Sequence, residues 1–281
     1  MTILSAIFQA IVQGLTEFIP ISRSGHLALI QHFAGGANSE NAIFLSAIIR
    51  LGALVAIIIA FRKLIYRLIV ELFCMIKDIF AKRFQWKQQN EYRRMLIMLF
   101  VSYIPLLILL PFKGFYDILV AKGSLAFLGL CFIITSIFLY LSDFCIKREK
   151  TASKMTYKNA ITIGIAQGIS AFPGLSRFGL NVTTSLFNGL SKKFAVQYSF
   201  ILCIPTILCS SILDMKNAIA GELDITIFPV LIAFIVSTLC GLFAIKLVAG
   251  MVQSSKLKIF AYYTLTLGAV VLGISIYEMI F

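Results

Sequence analysis

Six long apolar runs constrain this chain more than any motif does. They cover residues 42–61, 95–112, 123–146, 194–213, 227–248 and 259–281. A helix needs about 20 apolar residues to cross the hydrocarbon core of a bilayer, and each run is close to that length. In lipid the backbone must satisfy its own hydrogen bonds, so such runs are predicted to be helices. Composition agrees. The chain is 60% hydrophobic and 13% charged, against roughly 25% charged in soluble domains. That balance excludes most soluble classes, disorder and disulfide scaffolds.

Charge sets the topology. Lys plus Arg is 25 and Asp plus Glu is 12, a net charge of +13. In a soluble chain this excess would suggest nucleic acid. With so few charges in total, it reads instead as cations gathered in cytoplasmic loops, and no nucleic acid is expected. The basic segments 62–94 and 147–158 are placed inside, as are Lys192, Lys193, Lys256 and Lys258. Asp214, Glu222 and Asp224 mark an outer loop. Residues 64–80, with Arg67 and Glu71 at i,i+4, read as an amphipathic helix at the inner surface or as an extension of the preceding span. Cys74, Cys131, Cys145, Cys203, Cys209 and Cys240 form no C-x-x-C pair and read as small buried hydrophobes. The N-terminus lacks a basic segment and a small-residue cleavage site, so it does not read as a signal peptide.

Lys158 and Lys192 are both assigned inside, yet the segment between them is apolar and centred on Phe172-Pro173-Gly174. One span would put its ends on opposite sides. Residues 159–191 are therefore predicted to be a re-entrant hairpin entering from the cytoplasm, its turn shielded by protein or a water-filled cavity. Aligning residue n with n + 154 shows the same feature at the start of the chain. Ala6-Ile7 falls on Ala160-Ile161, Gln13-Gly14 on Gln167-Gly168, and Thr16 on Ser170. Phe18 falls on Phe172, Ser22-Arg23 on Ser176-Arg177, and Gly25 on Gly179. A single membrane domain, 1–281, thus divides into halves of about 1–150 and 155–281. A hairpin does not change side and three spans do, so the second half is inverted relative to the first. The expected fold is an all-α polytopic membrane protein with an inverted repeat, each half a re-entrant helical hairpin plus three transmembrane helices. The first hairpin, about 2–33, enters from outside and meets the second near mid-membrane, where such repeats build a central site.

Polar side chains at that depth are costly and are functional candidates. The first hairpin supplies Gln13, Glu17, Ser22, Arg23, Ser24 and His26. Arg50 lies in the next span, and Ser176, Arg177 and Asn181 lie in the second hairpin. Gln13 and Glu17 share a helical face. The Glu17 carboxylate can orient a nucleophile, hold a cation or act as a base, or the pair can be a polar helix contact. Arg177 follows Pro173-Gly174-Leu175-Ser176, which places a guanidinium, a hydroxyl and free N–H groups at a turn into a helix. That is an anion site suited to phosphate, unless Arg177 is paired structurally with Glu17. His26, beside it, is a candidate nucleophile or general acid.

Gln13-Gly14-Leu15-Thr16-Glu17-Phe18-Ile19-Pro20-Ile21-Ser22, followed by Gly25-His26, resembles the first signature of the bacterial undecaprenyl pyrophosphate phosphatases of the bacitracin-resistance type. Pro173-Gly174-Leu175-Ser176-Arg177 resembles the second, P-G-x-S-R-S-G-x-T. Tyr198-Ser199-Phe200, Ile204-Pro205 and Leu213-Asp214 are also similar to that family, and the resemblance spans essentially the whole chain. It implies a multi-pass enzyme of the bacterial cytoplasmic (inner) membrane. The enzyme would hydrolyse a C55 isoprenyl pyrophosphate lipid to the monophosphate at a site open to the outer face. That reaction recycles the carrier for peptidoglycan synthesis and confers bacitracin tolerance. The resemblance further implies a divalent cation, Mg²⁺ or Ca²⁺, with Glu17 as the essential acid and a candidate metal ligand. A homodimer is compatible with the sequence.

The chain departs from the family pattern. Ser22-Arg23-Ser24-Gly25-His26 stands where S-S-T-G-H is common, so Arg23 replaces a serine. Phe178 replaces Ser, Asn181 replaces Thr, and Arg50 replaces Gln. The expected chemistry is in-line attack on the terminal phosphorus. His26 is the leading nucleophile, with Ser22 or Ser24 behind it. Glu17 orients the nucleophile or holds the cation. Arg177, Ser176 and Arg23 neutralise phosphate charge, and Gln13, Gly174 and Asn181 complete the substrate pocket. The alternative is a transporter or flippase that moves an isoprenyl lipid phosphate without hydrolysis.

Overall fold

A computed structural model describes residues 2–34, 40–83, 90–109, 125–145, 149–221 and 226–280. The ends of some expected spans (Phe112, Gly123, Ile146, Phe281) and the loop residues Lys87, Glu222 and Asp224 lie outside the described residues.

Eleven α-helices account for almost all of what is described. They are α1 (Ile3–Thr16), α2 (Arg23–Ala34), α3 (Glu40–Ala60), α4 (Arg62–Phe80), α5 (Glu91–Leu109), α6 (Leu125–Ser142), α7 (Tyr157–Ile169), α8 (Arg177–Phe187), α9 (Lys192–Ile219), α10 (Ile227–Gln253) and α11 (Lys258–Ile280). The only extended pairing among the described residues is an isolated bridge between Lys150 and Leu190. Six of the helices, α3, α5, α6, α9, α10 and α11, are long and apolar enough to cross a membrane. They coincide with the six apolar runs, so this is an all-α, multi-pass membrane protein. No more than half of each span is buried. The outward faces carry side chains such as Phe8, Phe73, Leu107 and Phe243, which is the surface that lipid covers.

The hairpins are where the sequence placed them. In the first, α1 and α2 are too short to cross a membrane and are joined by a turn at 17–22. In the second, α7 and α8 are joined through Ser170–Ser176. Side-chain caps start the helices. Ser22 Oγ accepts from Gly25 N at 3.2 Å and Ser176 Oγ accepts from Gly179 N at 3.1 Å. Thr156 and Asn159 form a reciprocal capping box at α7. The tips touch. A β-carbon on Gly25 would lie 2.9 Å from Gly174 Cα, and one on Gly179 would lie 3.2 Å from Pro20 Cβ. At the offset of 154, Gly25 corresponds to Gly179 and Pro20 to Gly174, so the two contacts are reciprocal. Packing follows the same exchange: α1 lies on α10 of the second half, and α7 lies on α5 of the first.

α4 continues from α3 after a break at Phe61 and packs on α5. The i,i+4 pair read from the sequence does not form there. Glu71 accepts from Arg93 Nε at 2.5 Å and Asn90 Nδ2 at 2.7 Å, whereas Arg67 donates to the Tyr92 hydroxyl. Contacts between α4 and the start of α5 outcompete the local pair because they converge two donors on one carboxylate.

Beneath the hairpin tips is an aromatic floor. Phe178 stacks on Phe200 with centroids 4.2 Å apart, and Phe18 meets Phe200 edge-on at 5.5 Å. All three rings are buried. Phe178, which reads in the sequence as a lost hydroxyl, is therefore a packing residue.

Candidate active site

The two hairpin tips enclose a cavity of about 160 Å³. Glu17, Ser22, Arg23 and Ser24 line it from the first hairpin, and Ser176 and Arg177 from the second. Arg50 reaches it from α3, and Thr16, Ser170 and Ser210 add hydroxyls, while Leu27 and Leu175 supply an apolar wall. Two helices start here, each with an arginine at its first position and a serine as its cap. Their unpaired N–H groups and dipoles favour an anion.

The three guanidiniums are committed differently. Arg23 Nη1 lies 3.2 Å from Glu17 Oε2, with both side chains about 10% exposed. Its Nη2 donates to Gln13 Oε1 at 2.5 Å and Ser46 Oγ at 2.7 Å. Ser46 Oγ in turn donates to Gln13 Oε1 at 3.0 Å. Arg50 Nη2 pairs with Asp214 Oδ2 at 2.6 Å. Among the described residues Arg177 has no carboxylate partner, and Glu17 is paired with Arg23 rather than with it. Arg177 is therefore the cavity's free cation. Glu17 Oε2 is buried and, although close to Arg23, receives no hydrogen bond from any described residue. It retains lone pairs for a hydroxyl or a water in the cavity.

Ser22 holds a left-handed backbone at φ 68°, a conformation that costs a non-glycine residue about 1 kcal/mol or more and persists only where it is over-determined. The Ser22 carbonyl accepts from His26 N at 3.2 Å and His26 Nδ1 at 2.8 Å, while Ser22 Oγ caps α2. Because a carbonyl only accepts, Nδ1 carries the proton. In the neutral ring Nε2 is then the acceptor for the Tyr263 hydroxyl at 2.7 Å. The ring stacks on Tyr263 and meets Phe132 edge-on. His26 thus faces α11, and its ring does not line the cavity. Asn181 is likewise outside the lining. Fully buried, it donates to Gln167 Oε1, and Gln167 Nε2 donates to Thr206 Oγ1 at 3.2 Å. Gly174, at φ 91°, forms the second tip. Its carbonyl accepts from Thr135 Oγ1 at 3.0 Å, and the same hydroxyl accepts from Ser176 N at 3.2 Å.

Several participants have no motif to announce them. Ser46 with Arg50, and Ser210 with Asp214, are i,i+4 pairs on one helix face, a spacing that could have singled them out. Tyr263 and Thr135 carry no comparable signal, because only tertiary packing brings them to the tips.

The chain matches the profile described as bacitracin resistance protein BacA over residues 6–270. This chain belongs to that family. Among its relatives, an undecaprenyl-diphosphatase of Carboxydothermus hydrogenoformans is 34% identical over 95% of each chain. One from Alkaliphilus metalliredigens is 31% identical over 98% of this chain and 100% of its own. One from Methanobrevibacter smithii is 34% identical over 96% and 97%.

The divalent cation implied by the resemblance meets an unsuitable donor set in this family member. Ca²⁺ takes about six to eight oxygen ligands, and Mg²⁺ about six, several of them waters or substrate phosphates. The cavity lining holds one carboxylate, Glu17, already beside a guanidinium. No group of three His, Cys, Asp or Glu side chains is gathered among the described residues. Among the described residues no cage would hold a metal by itself, and the one carboxylate of the lining already has a guanidinium beside it.

Proposed function

We propose that this protein is an undecaprenyl-diphosphatase, hydrolysing undecaprenyl pyrophosphate to the monophosphate and inorganic phosphate and so recycling the lipid carrier for cell-wall synthesis. The observation that carries this reading is the free guanidinium of Arg177 at a helix N-terminus, facing the buried carboxylate of Glu17 across one cavity. The terminal phosphate docks on Arg177 and the first N–H groups of α2 and α8. Leu27 and Leu175 face the isoprenyl end. Glu17 Oε2 orients a water for in-line attack and takes its proton. Arg177 and Arg23 stabilise charge on the equatorial oxygens, and phosphoryl transfer is accelerated mainly by such stabilisation together with positioning. His26 is a positioning residue that holds the strained Ser22 carbonyl.

The site belongs to the outer side of the cytoplasmic membrane. Ser210 and Asp214 lie about 18 and 22 residues along α9 from Lys192, some 27–33 Å at 1.5 Å per residue. The basic ends of α3 and α9 face the other side. The reciprocal tip contacts and the three spans per half support an inverted repeat.

The test is release of inorganic phosphate from an isoprenyl pyrophosphate by the purified protein in detergent. Arg177→Ala is expected to lower the rate by about 10²–10³. Movement of labelled lipid across liposomes with no phosphate released, or an Arg177→Ala rate equal to wild type, would overturn the proposal.

A further inference from the structure

We infer that Arg23 is a built-in cation that takes the place of a divalent metal, so that this protein hydrolyses its substrate without one. The inference rests on the phosphatase reading above. Glu17, Gln13 and Ser46 present three oxygens to the two terminal nitrogens of the Arg23 guanidinium. Without the guanidinium, the Glu17 carboxylate would be left for a hard cation completed by water or substrate phosphate oxygens. Here Nη1 lies 3.2 Å from Glu17 Oε2, and Nη2 lies 2.5 and 2.7 Å from Gln13 Oε1 and Ser46 Oγ. A dication on Glu17 would sit in contact with that guanidinium, in a buried place where repulsion is poorly screened. Arg23 also begins α2 and lines the cavity, so its charge is presented to phosphate oxygens as a metal's would be. Unlike a metal it cannot dissociate, and its geometry is fixed by three protein oxygens rather than by substrate.

A guanidinium in this role places a fixed positive charge beside Glu17, where a metal would otherwise be needed to supply one. It also accounts for the residue by which the first hairpin departs most from the family pattern. Where that pattern has a serine, this chain has a guanidinium that neutralises the negative charge of Glu17.

The experiment compares wild type, Arg23→Ser and Arg23→Lys in detergent. Phosphate release is measured in EDTA and in millimolar Mg²⁺ or Ca²⁺, and Mg²⁺ and Ca²⁺ binding is measured by calorimetry. Wild type is expected to hydrolyse at rates within about twofold with and without metal and to show no saturable binding, and Arg23→Lys, which keeps the charge but not the fork geometry, to be slower than wild type yet equally indifferent to metal. Arg23→Ser is expected to be slower in EDTA by about tenfold or more, to recover with added metal, and to gain one saturable binding site that Glu17→Gln removes. Loss of wild-type activity in EDTA with recovery by Mg²⁺, or metal binding by wild type that depends on Glu17, would overturn the inference. If no variant releases phosphate under any condition, the phosphatase reading fails. The calorimetry still decides whether Arg23 excludes a metal.

Discussion

The two hairpin tips are built on the same sequence frame and use it in opposite ways. In the first, Arg23 is tied to Glu17, Gln13 and Ser46. In the second, the corresponding Arg177 has no carboxylate partner among the described residues, and the corresponding Gln167 is held by Asn181 instead. The left-handed residue also moves, from Ser22 in the first tip to Gly174 in the second. Both arginines line the cavity, but one is held against protein oxygens and the other has no carboxylate partner among the described residues.

The largest effect should come from removing the charge that balances the first tip. Glu17→Gln leaves Arg23 buried without its carboxylate, which typically costs about 3–5 kcal/mol, and it removes the acceptor for the attacking water. Phosphate release is expected to fall by about 10²–10³, and the melting temperature in detergent should fall with it. A Glu17→Gln protein with wild-type turnover would erase the distinction between the tips.

Gly174→Ala tests the second tip's backbone. An added β-carbon would lie 2.6 Å from Cys131 Cβ and 2.8 Å from the Leu128 carbonyl, at φ 91°. The strain alone is about 1–3 kcal/mol, read as a lowered melting temperature. A smaller loss, about 1–3 kcal/mol at most, is expected for Asn181→Leu, which leaves Gln167 Oε1 without its donor. Because Asn181 is outside the cavity, turnover of the folded fraction should stay within about twofold. A selective loss of turnover would return Asn181 to the substrate pocket. Tyr263→Phe should have the smallest effect, removing one hydrogen bond worth about 1 kcal/mol. If it instead abolished hydrolysis while the fold stayed intact, His26 Nε2 would be the catalytic group, and the water attack favoured here would fail.

Much of this was legible beforehand because the bilayer leaves a chain few choices. The apolar runs gave the spans, and the lysines on either side of Phe172-Pro173-Gly174 gave the hairpin. The offset of 154 gave the first hairpin from the second. Glu17, Arg23 and Arg177 were legible because buried ions are expensive and therefore rare. What each ion pairs with was not legible. Arg177 could equally have been the partner of Glu17, and nothing in the order of residues says that Arg23, six positions after it, reaches back instead. Nor could Phe178 be told from a pocket residue before Phe200 was seen stacked on it.

The sequence by itself determined an all-helical membrane protein, the two interrupted hairpins and the short inventory of ions that could do chemistry. These follow from hydrophobic length, backbone hydrogen bonding and loop charge, all of which act locally. The tertiary structure alone decided that Arg23 is the arginine held by Glu17, Gln13 and Ser46, that Arg177 has no carboxylate partner among the described residues, and that His26 turns toward Tyr263. Those outcomes depend on distances between helices far apart in the chain, and electrostatic pairing is settled by distance.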